Sequence, residues 1–347
     1  MSEMKNDFTR LLIFTGLIFL IIFIFSRSPQ LSEWYMKTVY PTIANALSSL
    51  SSLLPFSIYD ISITLAILFI LRLIVLAITA KIPFAGFLYS TMLFSIIIVA
   101  WFYFAWGISY FREDFYTRSK QEKIEYNSDE LKDFAIDFIN KANSLYVDFD
   151  VMDRYGISKE IESSYRNLHS SLQLQYPNGN RRVKSMIFES LFTKMGISGY
   201  FGPFFNEIHV NNYSLNFTYP FTLAHEMAHQ FGIAKESEAN LYAFIVCSNS
   251  SDERVRYSAY VSIINYLLND VRALLPDEFD LILESINPEI IADLQRNRAH
   301  WLSARNETLS NAQNKAYDVY LKSNKISSGR ENYSEVVGLL ISSYDMF

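Results

Sequence analysis

The chain has 347 residues, of which 50% are hydrophobic, 16% aromatic and only 19% charged, a composition too apolar for a disordered protein and richer in oil than a soluble core requires. Its formal net charge of −6 offers no general basic surface, so nucleic acid is excluded as an expected partner. One cysteine, Cys247, rules out an intrachain disulfide framework and cysteine-rich metal sites; a metal in this chain has to be held by His, Asp or Glu.

Three apolar runs occupy the first third. The first, Leu11 to Phe25, is extended by Phe8 and Thr9 and flanked by Lys5, Arg10 and Arg27, which can reach the headgroups. Ser26-Arg27-Ser28-Pro29 offers no small-x-small cleavage site, so the run reads as a retained span over 8–27 rather than a signal peptide. The second, Ile61 to Ala80, is interrupted by Arg72, which reads as a snorkelling or helix-pairing cation. The third, Phe84 to Gly107, ends on Trp101, Tyr103 and Trp106, an interfacial aromatic belt. Lys81, Ile82 and Pro83 suffice for a tight helical hairpin between the last two spans. Lys5, Arg10 and Lys81 share one side of this topology, which predicts a cytoplasmic N-terminus and delivers the remainder outside, with Arg27 and Lys37 in the outer loop. The sequence thus predicts a membrane domain over 1–110, whose partner is the lipid bilayer, and an extracytoplasmic domain over 111–347.

From Phe111 onward charge returns, and no later apolar stretch is long enough to span. Helical periodicity is expected over Leu131 to Leu145, Ser158 to Gln175, Ser258 to Leu268 and Phe279 to Ala299, with a turn at Pro177-Asn178-Gly179-Asn180. Asn206 to Asn211 alternates apolar and polar residues and reads as a short edge strand on which an extended peptide could align. His209 within it, like His169 and His300, reads as solvent-facing.

The segment Pro220 to Gly232 carries His225-Glu226-Met227-Ala228-His229, an H-E-x-x-H pattern on a helix opened by Pro220 and stopped at Gly232. Residues four apart lie on one helical face, so His225 and His229 can present imidazole nitrogens to one zinc ion, with Glu226 beside them as a base. A third ligand is required. Glu236 and Glu238 follow on the next helix, about 200° apart around it, so only one can face the metal, and spacing does not choose between them.

With these residues in view, the sequence resembles the bacterial membrane-protein family catalogued as domain of unknown function 3810, which looks like a zinc-metallopeptidase family of the gluzincin type. The matching stretches are Leu54-Pro55-Phe56-Ser57, the run from Gly196 through Gly199-Tyr200 to Phe204, Pro220 to Gln230, Gly232-Ile233-Ala234 and Glu236-Ser237-Glu238-Ala239-Asn240. The resemblance spans most of the chain and is densest from Gly196 to Tyr260. It implies an α-helical anchor of three transmembrane helices joined to a mainly α, α+β zincin-like metallopeptidase domain with a short edge sheet. It implies a bacterial inner-membrane location with the peptidase domain in the periplasm.

The Glu-Ala-Asn element is similar to one in other H-E-x-x-H peptidases whose glutamate before Ala-Asn is the third ligand. The resemblance therefore implies Glu238 as ligand, Glu236 as a supporting or alternative residue and Asn240 as an orienting one. Phe231 stands where the related pattern has an arginine. One zinc per chain and a peptide or protein substrate follow, with hydrolysis by activated water and Glu226 as general base. Tyr200, Tyr257, Tyr260 and His300 are candidate donors to a developing oxyanion. Two other classes compete with the peptidase: a non-catalytic zinc-bearing sensor or partner-binding domain, and a membrane assembly in which Arg72 would matter.

Overall fold

The computed structural model describes residues 2–148, 152–176, 180–329 and 335–344. The chain divides into two compact units. The first holds residues 2–113 together with 180–182 and Gly202–Glu207; the second begins at Asp114. The division falls between Glu113 and Asp114, and two short excursions from far along the chain return to the first unit. The expected turn residues Pro177, Asn178 and Gly179 lie outside the described residues.

The first unit is helical: α1 (Ser2–Arg27), α2 (Pro29–Thr38), α3 (Tyr40–Ser52), α4 (Ile58–Ile78) and α5 (Phe84–Ala105). Three of these carry stretches long and apolar enough to cross a membrane, Asn6–Arg27, Ile58–Ile78 and Phe84–Ala105, so this is a membrane protein. The sequence reading did not anticipate α2 and α3. Ser28 caps α2 by accepting from the Leu31 N–H, and Pro29 and Pro41 open the two helices, where their missing N–H is no loss.

Two buried carboxylates organise this unit. Glu33 of α2 receives a two-pronged contact from Arg112, Nε at 2.7 Å and Nη2 at 2.9 Å, the fork geometry that makes a guanidinium–carboxylate pair directional. Glu207 sits on the N-terminus of α4, accepting from the backbone N–H groups of Ile58 (3.2 Å) and Tyr59 (2.9 Å) and from the Ser57 hydroxyl. An anion there satisfies orphan donors and meets the positive end of the helix dipole. Gly202 packs so closely on the Tyr59 ring that a Cβ would lie 2.8 Å from its Cγ.

In the second unit come α6 (Phe115–Ser119), α7 (Ser128–Ser144), α8 (Arg154–Leu168), β1 (Val183–Lys184), α9 (Glu189–Met195), β2 (Gly199–Gly202) and β3 (Glu207–Val210), the last residues of β2 and first of β3 belonging to the excursion above. They are followed by α10 (Tyr219–Gln230), α11 (Glu236–Ser248), α12 (Glu253–Leu274), α13 (Phe279–Glu284), α14 (Pro288–Ala304), α15 (Glu307–Ser323) and α16 (Val336–Ser342). The unit is mostly helical with a small three-stranded sheet. α10, α11 and α12 pack together with α7, and every side chain of α11 from Glu236 to Cys247 is buried. A helix enclosed on all sides lies in the centre of the core, and the polar residues of its first turn are therefore buried too.

Two expectations are corrected. The helix expected over 279–299 is broken into α13 and α14, because Asn287 precedes Pro288 and is held extended, and Pro288 instead starts a new helix. The strand expected over 206–211 is β3, but it is not an edge: the order is β1-β3-β2, with β1 parallel to β3, and β3 is buried on both faces. Its alternating pattern does not mark a solvated face.

Glu207→Ala should leave the first turn of α4 without its acceptor and lower stability by about 1–3 kcal/mol; thermal unfolding of the detergent-solubilised chain checks this.

Candidate metal centre

The local sequence forces α10 and α11 into a tight helical hairpin. Gly232, with φ of +83°, reverses the chain, and the Ile233 N–H returns to the Ala228 carbonyl at 3.1 Å. α11 therefore starts only a few residues later, at Glu236, alongside α10. His225 and His229 stand one turn apart on α10, both buried.

Their rings are oriented from behind. His229 Nδ1 lies 2.7 Å from the Ile233 carbonyl, which can only accept, so Nδ1 carries the proton. His225 Nδ1 lies 2.8 Å from Asn240 Oδ1 in the same relation. Both Nε2 atoms are thereby turned inward, 3.1 Å apart. Glu236 Oε2 completes the triangle at 3.0 Å from His225 Nε2 and 3.3 Å from His229 Nε2. Ligand atoms around a tetrahedral ion with bonds of about 2.0–2.1 Å are separated by roughly 3.3 Å. The three donors thus fit a zinc-sized cation, and among the described residues they form the one His/Cys/Asp/Glu group of three or more close enough to hold a metal.

The electrostatics carry the same signature. Burial works against the Glu236 carboxylate, but the two imidazoles outweigh it and hold its pKa well below the usual range. For His229, burial pulls downward, yet Glu236 beside it, with Glu226, raises it to about 9. The pocket draws positive charge toward these atoms. Glu226, next to His225 on the same helix, is raised to about 7 by burial, partly offset by the two histidines. It packs against the bare backbone of Gly199 in β2, where a Cβ would come within 2.7 Å of Glu226 Oε1.

The carry-over that made Glu238 the third ligand is corrected. Glu238 points to the other side of α11, where it accepts from Arg118 Nη2 (2.5 Å) and the Phe115 N–H (3.2 Å). Arg118 and Glu238 are both buried. The reason lies in helix geometry: Glu236 shares a face with Asn240, one turn on, and Asn240 already touches His225, whereas Glu238 is rotated about 200° from Glu236. A cavity of about 370 Å³ lined by Glu238, Lys235, Tyr116 and Lys123 lies on that far side, away from the histidines.

The candidate oxyanion donors separate. Tyr257 is committed to Asp293 at 2.6 Å, and Tyr260 is buried against Phe138 and Phe244. His300 is half-buried, stacked on Tyr213 and bonded to its carbonyl. Tyr200, beside Gly199 on β2, is the one of the four on a strand that touches Glu226. His209, expected in solvent, is fully buried and stacked on Tyr200 with ring centroids 4.2 Å apart; it lies on the central strand, which has no exposed face. His169, also read as solvent-facing, is half-buried at the end of α8 with Nδ1 on the Arg166 carbonyl. One residue escaped the sequence altogether: Tyr317 of α15, whose hydroxyl donates to Glu236 Oε1. No motif or spacing marks a partner 81 residues away.

Among known proteins, a family model described as Protein of unknown function (DUF3810) matches residues 35–341. No curated protein and no solved structure matches the chain significantly.

Glu236→Gln should abolish zinc uptake by the full-length chain, while Glu238→Gln should keep about one zinc and lower stability by about 3 kcal/mol through the orphaned Arg118; elemental analysis and thermal unfolding read the two effects. In chelator, a His229 raised from 6.5 to about 9 contributes stability that is fully present below pH 6.5 and is lost as the pH rises through about 9. The melting temperature of the metal-free chain should fall across that window, and the fall should be absent in His229→Ala.

Proposed function

The chain belongs to the DUF3810 family, and because that description carries no activity, we propose a function from the site itself: a membrane-anchored, zinc-dependent metallopeptidase with a zincin-like domain. The observation that carries this reading is the convergence of His225 Nε2, His229 Nε2 and Glu236 Oε2, with the Glu226 carboxylate beside them. His225, His229 and Glu236 would hold the zinc, which when bound would supply Lewis-acid polarisation of a substrate carbonyl and a water acidified toward neutral pH.

The remaining work falls to side chains of this chain. Glu226, with a pKa of about 7, is suited to take a proton from the attacking water and return it to the leaving amine at neutral pH. Gly199 lets β2 run directly over that carboxylate, where any side chain would displace it. β2, one of the two outer strands of the sheet, is the edge along which an extended peptide would align. Asn240 and the Ile233 carbonyl hold the imidazoles in the tautomer that faces inward.

The basic residues Lys5, Arg10 and Lys81 support a cytoplasmic N-terminus and a periplasmic peptidase domain at the bacterial inner membrane. α10 has 12 residues, too few to span a bilayer, which supports cleavage outside the membrane.

Glu226→Gln should retain zinc and lose about 10²–10⁴-fold in peptide hydrolysis, and Gly199→Ala should lose activity by displacing the same carboxylate. Both are read by zinc analysis and cleavage of a fluorogenic peptide library by the full chain. Wild type that binds zinc without hydrolysing any peptide would move the reading to a tethered zinc-binding module, and wild type without zinc would sink both.

A further inference from the structure

Each of the three inward-facing side chains has a second atom that the protein holds. For His225 the holder is Asn240, and for His229 it is the Ile233 carbonyl, both within the α10–α11 hairpin. For Glu236 it is the Tyr317 hydroxyl, from α15. The third case differs in kind, because it brings a distant helix to the centre.

A carboxylate can turn about its terminal bond and exchange its two oxygens. If the histidines alone engaged Glu236, either oxygen could face them and the other would be left buried and underused. A hydroxyl donating to Oε1 removes that freedom and presents Oε2 to both Nε2 atoms. The bond is a charge-assisted O–H···O⁻ contact, stronger than a neutral one, to a carboxylate only 2% exposed. The Tyr317 ring is itself supported: it stacks on Tyr320, one turn along, with centroids 5.9 Å apart and planes inclined by 22°. The start of α15 is tied down where Asn306 donates its N–H to the Lys194 carbonyl of α9 (2.9 Å) and caps the helix by accepting from the Leu309 N–H.

We infer that Tyr317 is a positioning residue of the metal centre, orienting the Glu236 carboxylate toward His225 and His229 through its hydroxyl. The inference deepens the proposed function and rests on it. Loss of such an outer partner typically weakens metal affinity 10–100-fold. The ring of Tyr317 contributes only packing to this effect; the hydroxyl carries it.

The test is zinc affinity of the full-length chain in detergent, by competition with a chromophoric chelator, for wild type, Tyr317→Phe and Tyr320→Phe. Tyr317→Phe is expected to weaken zinc binding 10–100-fold, and saturating zinc should restore hydrolysis to the wild-type rate. Tyr320→Phe, which keeps the stack, should bind zinc as wild type does. Equal affinity of wild type and Tyr317→Phe would overturn the assignment, as would equal losses in both variants, which would reduce the effect to helix packing. Unchanged affinity with slow turnover at saturating zinc would overturn it too, placing the hydroxyl on the substrate. A wild type that binds no zinc overturns the proposed function itself, an outcome distinct from any difference between the variants.

Discussion

Three acceptor atoms, two imidazole nitrogens and a carboxylate oxygen, face one another at 3.0–3.3 Å in a buried pocket. Such an arrangement is repulsive unless positive charge lies among them, because the ring protons are already committed outward to Asn240 and Ile233. Much of the second unit serves to keep this costly geometry in place. The turn at Gly232 sets the distance between the two helices, and the inward ligands follow from one helical face on each. The raised His229 and depressed Glu236 are the same constraint expressed as proton affinity.

The first turn of α11 carries two buried carboxylates, and they meet the cost of burial in different ways. Glu238 is neutralised by a partner of the chain itself, Arg118, and so is complete as it stands. Glu236 faces two histidines and a tyrosine hydroxyl, with the Glu226 carboxylate near by. A charge compensated within the fold is structural, whereas one compensated by titratable ligands is available to an incoming cation. That difference separates two residues that look alike on paper.

The sequence was most legible where a single periodicity decides the outcome. The three span-length helices are visible as long apolar runs, the second broken only by Arg72, and the paired histidines and Glu226 as residues four and one apart on a helix with a proline start and a glycine stop. It was least legible where contacts between distant segments decide. Glu236 against Glu238 depends on which side of α11 meets α10, and the Glu-Ala-Asn resemblance pointed to the wrong side. β3 shows an alternating pattern yet is central, because β1, which is only two residues long, covers its other edge. Helices α2 and α3 escape the reading because both are short of a span, at 10 and 13 residues, and Tyr317 because nothing local announces it.

The burial of α11 and the sparse burial of α15 place the centre at a boundary between rigid and yielding parts of the fold. α11 is enclosed from Glu236 to Cys247, so its amides can open only when the whole core does. α15 buries only Ser310 and Leu321 among its 17 residues, which puts it at the low-stability end of the local-opening spectrum. The hairpin therefore keeps two nitrogens and an oxygen at fixed spacing through fluctuations that lift the tyrosine away. If the proposed metal centre is loaded, exchange of its ion with solution would be paced by the transient departure of one surface helix rather than by unfolding of the domain.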